Sequence, residues 1–337
     1  MGKFITRSKY LAYYFKKLEF STFSEFLKYA SQQTGKSRSY LFNDAVKCVY
    51  KYNIGLMDYF TFHFYEMDHE ERNKWVGTGY KYEFDLRTNP KNTREILENK
   101  IKFYETYTPF IKHSYCTISD LRKNNEKAKD LFKHISGKIV VKDSLGQCGF
   151  DVEIINTKDY TLQGLIDYMQ SKKFDLAENF IIQHPAINQL SPSGLNTVRM
   201  MTMINDAGGV DILGARMRIT VNSHVDNLAS GNIACSIDLD TGKINGNGFY
   251  SDITKEPVTH HPVTGVELKG FQVPMWQDIM DTTKNIALFR PENRGVGWDV
   301  ALTENGPDFI EGNHNWCKIL WQLPVGEGLK HVLDSYK

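Results

Sequence analysis

Three side chains near the end of the chain carry the clearest chemistry. Gly297-Trp298-Asp299 opens an apolar run that turns at Glu304-Asn305-Gly306-Pro307 and returns as Phe309-Ile310-Glu311-Gly312-Asn313. Asn-Gly between two apolar runs predicts a β-hairpin, and alternation along a strand puts Glu311 and Asn313 on one face. If Asp299 joins them, two carboxylates and an amide oxygen converge, a donor set that suits hard Mg2+ carrying the phosphates of ATP. Register decides the matter, since a one-residue slip turns a side chain to the opposite face. Pairing Leu302 with Asp308 across a loop of Thr303 to Pro307 brings Asp299 and Glu311 together; pairing Thr303 with Asp308 separates them. For a hairpin taken alone, an edge with solvated acidic residues is the commoner outcome.

Upstream residues could supply the phosphate end of such a site. Lys142-Asp143-Ser144-Leu145-Gly146-Gln147-Cys148-Gly149 puts a lysine at a strand end before a turn with two glycines. Glycines let backbone amides approach phosphate oxygens, and an ammonium adds a point charge. The order differs from a Walker A loop, where the glycines precede the lysine and a helix follows. A plain glycine hairpin explains the segment equally well. Lys100 opens a helical run, where lysines are usually solvated. Arg199, Arg216 and Arg218 sit in apolar strand-like runs, so each needs a partner: phosphate or carboxylate of a substrate, or an internal carboxylate. Phe180-Ile181-Ile182-Gln183-His184-Pro185 reads as a connection whose backbone could meet an adenine edge, or as a buried strand stopped by proline. Adjacent His260 and His261 point opposite ways on an extended segment and cannot easily hold one metal together.

The positioning elements follow from periodicity. Helical spacing at residues 9–20, 23–33 and 39–52, rich in Lys, Tyr and Phe, predicts amphipathic helices packing aromatics inward. Turn chemistry at Thr88-Asn89-Pro90 marks a boundary. Beyond it the pattern predicts a helix over 94–112, strands over 137–143, 150–155, 179–183, 197–204 and 209–221, and helices over 161–172 and 276–289. The class is α+β with mixed, mainly antiparallel sheets. In 337 residues, 41 Lys and Arg balance 40 Asp and Glu for a net charge of +1, which gives no global reason to expect nucleic acid or an anionic membrane surface. The five cysteines form no CxxC pair, fitting reduced thiols and a cytoplasmic location. No apolar stretch approaches the roughly 18–20 residues of a membrane span.

Taken in order, Lys100, Lys142 with its glycine loop, Phe180 to Gln183, Asn196 to Arg199, Arg218, Asn227, Asp299, Glu311 and Asn313 resemble the ATP-grasp superfamily. Gly297-Trp298-Asp299, Phe309 to Asn313 and His261-Pro262-Val263-Thr264-Gly265 resemble its sugar-transfer-associated branch, over roughly residues 95–325. The resemblance implies an ATP-grasp domain at residues 96–325, with a mobile lid (136–185) and a metal-binding subdomain (190–325) gripping ATP. A helical region (1–95) would precede it and a tail (326–337) follow. It further implies that Lys100, Lys142, Ser144, Gly146 and Gly149 meet ATP phosphates, that Ile182 and Gln183 lie against adenine with Asn227 lining the site, and that Asp299, Glu311 and Asn313 hold Mg2+. Arg199, Arg218 and Lys142 would stabilise the transferred phosphoryl group. Many relatives place a glutamate near the adenine connection, where Gln183 and His184 stand here and Glu178 is the substitute. The implied reaction is carboxylate–amine ligation through an acyl phosphate, joining an amine or amino acid to a carboxylated, uronic-acid type sugar in capsule or exopolysaccharide synthesis. Its alternatives are sugar phosphorylation and a non-catalytic nucleotide-binding partner of a glycosyltransferase.

Overall fold

The computed structural model describes residues 2–146 and 152–336. Two antiparallel sheets organise the chain beyond the N-terminal helices. The first contains β1 (Tyr115–Thr117), β2 (Lys138–Lys142), β3 (Val152–Asn156) and β4 (Leu176–Asn179) in the order β1-β4-β2-β3. The second contains β5 (Thr197–Ile204), β6 (Val210–Ile219), β7 (Ile233–Ile237), β8 (Gly295–Thr303) and β9 (Gly306–Asn313) in the order β7-β6-β5-β8-β9.

Each sheet is covered on one face by an amphipathic helix. The helix Leu162–Lys172, capped by Thr161 accepting from the Gly164 amide, buries Leu165, Ile166 and Met169 against Ile139, Val141 and Ala177. The helix Trp276–Phe289 buries Ile279 and Ile286 in a core with Val198, Met200, Met217, Trp298, Val300 and Phe309. Those strand residues alternate with Thr197, Arg199, Arg218 and Asp299, so the opposite face of the five-stranded sheet is charged.

Helices Gly2–Lys17, Phe20–Thr34 and Arg38–Tyr52 gather around a separate aromatic-rich core that includes Phe23, Phe26, Tyr59, Phe60 and Phe64. The segment after it is pinned to the five-stranded sheet: Asn89 donates through Nδ2 to the Gly295 and His314 carbonyls and accepts from the Gly295 amide. The helix expected over 94–112 is broken. Asn99 is extended (φ −113, ψ 116), ending Glu95–Glu98 and capping Lys100–Thr106 through its side chain. A second correction concerns the strand expected at 179–183. The fully buried run is Leu176–Asn179, and it is this run that pairs with β2. Phe180 to Gln183 lie beyond the ladder, with Ile182 half exposed, and the His184 amide donates to Leu302 O on β8 at 2.7 Å, tying the connection to the second sheet.

Candidate active site

The hairpin sets the geometry. Its loop is Glu304-Asn305, closed by the pair Thr303–Gly306, with Gly306 at φ 103, a conformation that glycine tolerates best. The expected loop of Thr303 to Pro307 is therefore wrong, and Ala301 pairs with Asp308. On that register alone Asp299 would face away from Glu311. A β-bulge between Asp299 and Val300 restores the alignment: Val300 pairs with Phe309, Asp299 pairs with Glu311, and Ile310 is the extra residue.

The pairing continues across the whole sheet. Ser236, Arg216, Arg199, Asp299 and Glu311 form one cross-strand row over β7, β6, β5, β8 and β9, and directly paired side chains share a face. Arg199 binds Asp299 in a two-pronged contact, Nε to Oδ1 and Nη2 to Oδ2 at 2.8 Å. Arg218 Nη1 donates to Asp299 Oδ2 at 2.6 Å, and its Nη2 donates to Asp226 Oδ1 at 2.5 Å. Thr197 Oγ1 donates to Asp226 Oδ2. Arg199 Nη2 lies 4.0 Å from Glu311 Oε1, which accepts from Asn313 Nδ2 at 3.0 Å. Burial alone would raise the Asp299 pKa, but Arg199 and Arg218 overcome it and hold the carboxyl well below the usual range. Asp226 is raised, first by burial and then by the nearby Asp299 charge, against the pull of Arg218.

This donor set fits a cation. A carboxylate offers about four lone-pair sites; the two guanidinium groups use three of those on Asp299 and leave one. Glu311 is the open member, with its side chain 31% exposed. Asn313 spends its amide nitrogen on Glu311 and on Gly297 O, which leaves the amide oxygen as an acceptor. Among the described residues no three His, Cys, Asp or Glu side chains cluster as a metal site, so the set is two carboxylates and an amide.

Arg216 differs from its two neighbours. It is buried against backbone, donating to Trp321 O at 3.1 Å and Ala215 O at 2.8 Å, and burial pushes its pKa down to about 10. It holds the C-terminal segment to the sheet.

The lysines lie on the other sheet's side. Lys142, at the end of β2, reaches Glu178 Oε1 at 2.6 Å, and Tyr104 Oη donates to the same oxygen at 2.7 Å. The two ionic groups share a face because Val140, two residues before Lys142, pairs with Glu178. Lys100 donates from Nζ to Gly146 O at 2.5 Å and from its amide to Ser144 O at 3.0 Å. Its pKa is lowered chiefly by burial, with Lys142 adding to the shift and Glu311 opposing it. Both charges act on Lys100, which links the lysines electrostatically to the acidic end of the row. Ser144 donates through its amide and its hydroxyl to Asp175, each at 2.7 Å.

Other expected residues have different surroundings. Gly149 and Cys148 lie outside the described residues. Gln183 accepts from Asn196 Nδ2 at 2.9 Å and donates to Ser191 O, and so braces the entry to β5. Ile182 and Gln183 belong to the connection outside the ladder. Asn227 caps the turn Leu228–Ser230 through Ala229 N, next to Asp226. His261 is buried, with Nε2 2.8 Å from Thr220 O, whereas His260 is exposed. Sequence reasoning did not single out Asp175, Asp226 or Tyr104. Each is an ordinary residue type whose importance comes only from its partner across the fold.

Glu178 gives a pH-dependent expectation. Burial raises its pKa, but Lys142, His113 and Tyr104 together bring it below 4.5. A carboxyl depressed on folding stabilises the fold above its unfolded pKa and loses that contribution as pH falls through the folded value. Glu178→Gln should therefore melt below the wild-type chain at neutral pH, with the gap narrowing on acidification. Parallel melting curves at every pH would refute the ion pair's contribution.

A family model for sugar-transfer associated ATP-grasp proteins matches residues 80–337. The chain belongs to that family. No curated protein matches it significantly. Among solved structures, this ATP-grasp chain is similar to a biotin carboxylase–β-γ-ATP complex from Campylobacter jejuni, at 13% identity over 72% of this chain and 47% of that one, TM-score 0.43. It is also similar to D-alanyl-alanine synthetase A from Vibrio cholerae, at 14% identity over 70% and 60%, TM-score 0.41. A third is the biotin carboxylase domain of 2-oxoglutarate carboxylase from Hydrogenobacter thermophilus, in complex with MgADP, ADP and bicarbonate, at 13% identity over 72% and 48%, TM-score 0.40. The chain spans about half the length of the first solved structures it resembles.

In this ATP-grasp chain Gly297 is a steric requirement of the site. A Cβ there would stand 2.6 Å from Trp316 Cβ and 3.2 Å from Arg199 Cδ. Trp316 is buried and cannot retreat cheaply, so Gly297→Ala should displace Arg199 and cost about 1–3 kcal/mol as an overpacked site. Urea denaturation checks this; an unchanged midpoint would remove the steric role.

Proposed function

We propose that the chain is an ATP- and Mg2+-dependent carboxylate–amine ligase acting on a carboxylated sugar and an amine or amino acid. The observation that carries the reading is the cross-strand row ending in Arg199, Asp299 and Glu311, set opposite two lysines that Glu311 and Glu178 reach electrostatically. It supplies opposed charges for polyphosphate and carboxylate and needs no protein nucleophile, as phosphoryl transfer by positioning requires. Membership of a sugar-transfer associated family supports the choice of a sugar.

In this reading Lys100 and Lys142 take the ATP phosphates, exchanging their present partners Gly146 O and Glu178 for phosphate oxygens. Ser144 and Gly146 carry the loop over them. The connection Phe180 to Gln183, outside the ladder, offers its backbone to adenine, with Asn227 lining the site. Asp299, Glu311 and Asn313 hold Mg2+, which neutralises charge on the phosphates when bound. Arg199 and Arg218, positioned by Asp299 and Asp226, face the transferred phosphoryl group. A carboxylate oxygen of the sugar attacks the γ-phosphorus, the bond to ADP breaks, and an acyl phosphate forms. The amine then attacks the acyl carbon, phosphate leaves, and the nitrogen sheds a proton to give the amide.

The test is a product assay over a panel of uronic acids and amines. ADP and inorganic phosphate released in equal amounts, only when both substrates are present, is the expected result. A phosphorylated sugar without inorganic phosphate would replace the ligase by a phosphotransferase, and ATP consumption independent of both substrates would reject the reading.

A further inference from the structure

The whole-chain balance of +1 hides a segment whose charges are all positive. The helix Gly2–Lys17 carries Lys3, Arg7, Lys9, Lys16 and Lys17 and no carboxylate. Arg7 is spent, donating from Nη1 to Glu83 at 2.5 Å, while Lys3, Lys9, Lys16 and Lys17 are exposed and form no ion pair among the described residues. One face of the helix is covered, since Leu11, Tyr14 and Phe15 pack on the aromatic N-terminal core. The face turned outward bears Ile5, Lys9, Ala12, Tyr13 and Lys16, at the i, i+4, i+7, i+8 and i+11 spacing of one helix side, and all of them are exposed.

A helix side that merely meets water mixes both signs of charge and keeps large apolar groups few. This one does neither. Ile5 is 51% exposed and Tyr13 56%, and Phe4, although it stacks on Tyr50, is 66% exposed. The apolar surface continues onto the helix Thr78–Thr88, where Tyr82 meets the Tyr10 ring edge-on with centroids 6.0 Å apart and Leu86 follows one turn later; Tyr82 and Leu86 are both exposed. Lysine stems can lie along such side chains while their ammonium groups reach past them.

Charge and apolarity together select the partner. A second copy of the chain would set the same positive face against itself. A nucleic acid would use the ammonium groups but leave Phe4 and Ile5 in water. An anionic bilayer uses both, because its headgroups attract the lysines and the boundary with the acyl chains takes aliphatic and aromatic side chains out of water. We propose that the outer face of Gly2–Lys17 docks the chain on an anionic lipid surface, with Lys9 and Lys16 at the headgroups and Ile5 and Tyr13 inserted between them. No residue of the charged row takes part, so docking holds whichever reaction that row performs.

Flotation of the full chain with vesicles of equimolar phosphatidylglycerol and phosphatidylcholine, at physiological salt and without ATP, tests it. The chain should float with these vesicles and stay behind with pure phosphatidylcholine. Lys9→Ala with Lys16→Ala should weaken the partition about 25-fold, at about fivefold for each lysine near an anionic surface, and Lys9→Arg with Lys16→Arg should keep it. Ile5→Ser should weaken it about tenfold through lost apolar contact alone. Insertion is read separately in Ile5→Trp, whose fluorescence should shift to the blue on the anionic vesicles and be quenched by brominated lipid, whereas the native tryptophans Trp75, Trp276, Trp298, Trp316 and Trp321 are all buried and should not respond. Should the lysine variant misfold, quenching in Ile5→Trp decides alone. Equal flotation with neutral vesicles, wild-type partition of Ile5→Ser, no quenching in Ile5→Trp, or preference for a DNA duplex over the anionic vesicles in competition would each overturn the proposal.

Discussion

Replacing Glu311 by Gln is expected to lower Mg2+-dependent ATP turnover by about 100- to 1,000-fold, the scale set by losing one preorganised charged group from an active site. The fold should survive. Glu311 is half-buried at the end of the row, Arg199 approaches it only to 4.0 Å, and the side chain that replaces it keeps an oxygen for Asn313 Nδ2. The measurements are ADP release at saturating Mg2+ and a thermal melt of the same preparation. Wild-type turnover in Glu311→Gln would refute the metal assignment for this residue. Lost turnover with a collapsed melting temperature would instead make Glu311 a structural residue.

Asp299→Asn should behave differently, although Asp299 is the cross-strand partner of Glu311. Asp299 is 4% exposed and is the shared carboxylate of Arg199 and Arg218. Neutralising it leaves Arg199 buried without its close partner, while Arg218 retains Asp226. Removing one member of a buried ion pair typically costs about 3–5 kcal/mol, because the remaining charge stays desolvated. Urea denaturation should show a loss of that order together with reduced turnover, so the two acidic residues separate on stability although both substitutions lower activity. A change below about 1 kcal/mol, the range of exposed ion pairs, would mean that the network is hydrated and does not organise the site.

Much of this arrangement was legible in the sequence because it depends on alternation. Thr197 to Ile204 reads as a strand and is one, and its odd positions put Thr197 and Arg199 opposite the core residues Val198 and Met200. The helix Trp276–Phe289 follows from its spacing of buried apolar residues. What alternation cannot carry is a change of parity inside a strand. Phe309-Ile310 are both apolar, so nothing marks the bulge that turns Glu311 back toward Asp299, and a five-residue loop was needed to reach the same facing. The strand near Asn179 was displaced for a related reason. Phe180-Ile181-Ile182 looks more strand-like than Leu176-Ala177-Glu178-Asn179, yet burial beside β2 selects the latter, and that places Glu178 on Lys142. Asp175 and Asp226 are visible only through long-range partners, 31 residues away at Ser144 and 29 residues away at Thr197. The three arginines illustrate the limit of composition: all interrupt apolar runs, but two meet Asp299 while Arg216 meets backbone carbonyls.

The central chemical claim is that phosphate released by this chain takes an oxygen from the carboxylate substrate. With a carboxylate that supports turnover, labelled with 18O in both carboxyl oxygens, mass spectrometry of the inorganic phosphate reads that oxygen directly. An acyl phosphate intermediate requires one 18O in each phosphate and one retained in the amide. Phosphate free of 18O, with both labels still on the product, would contradict the claim.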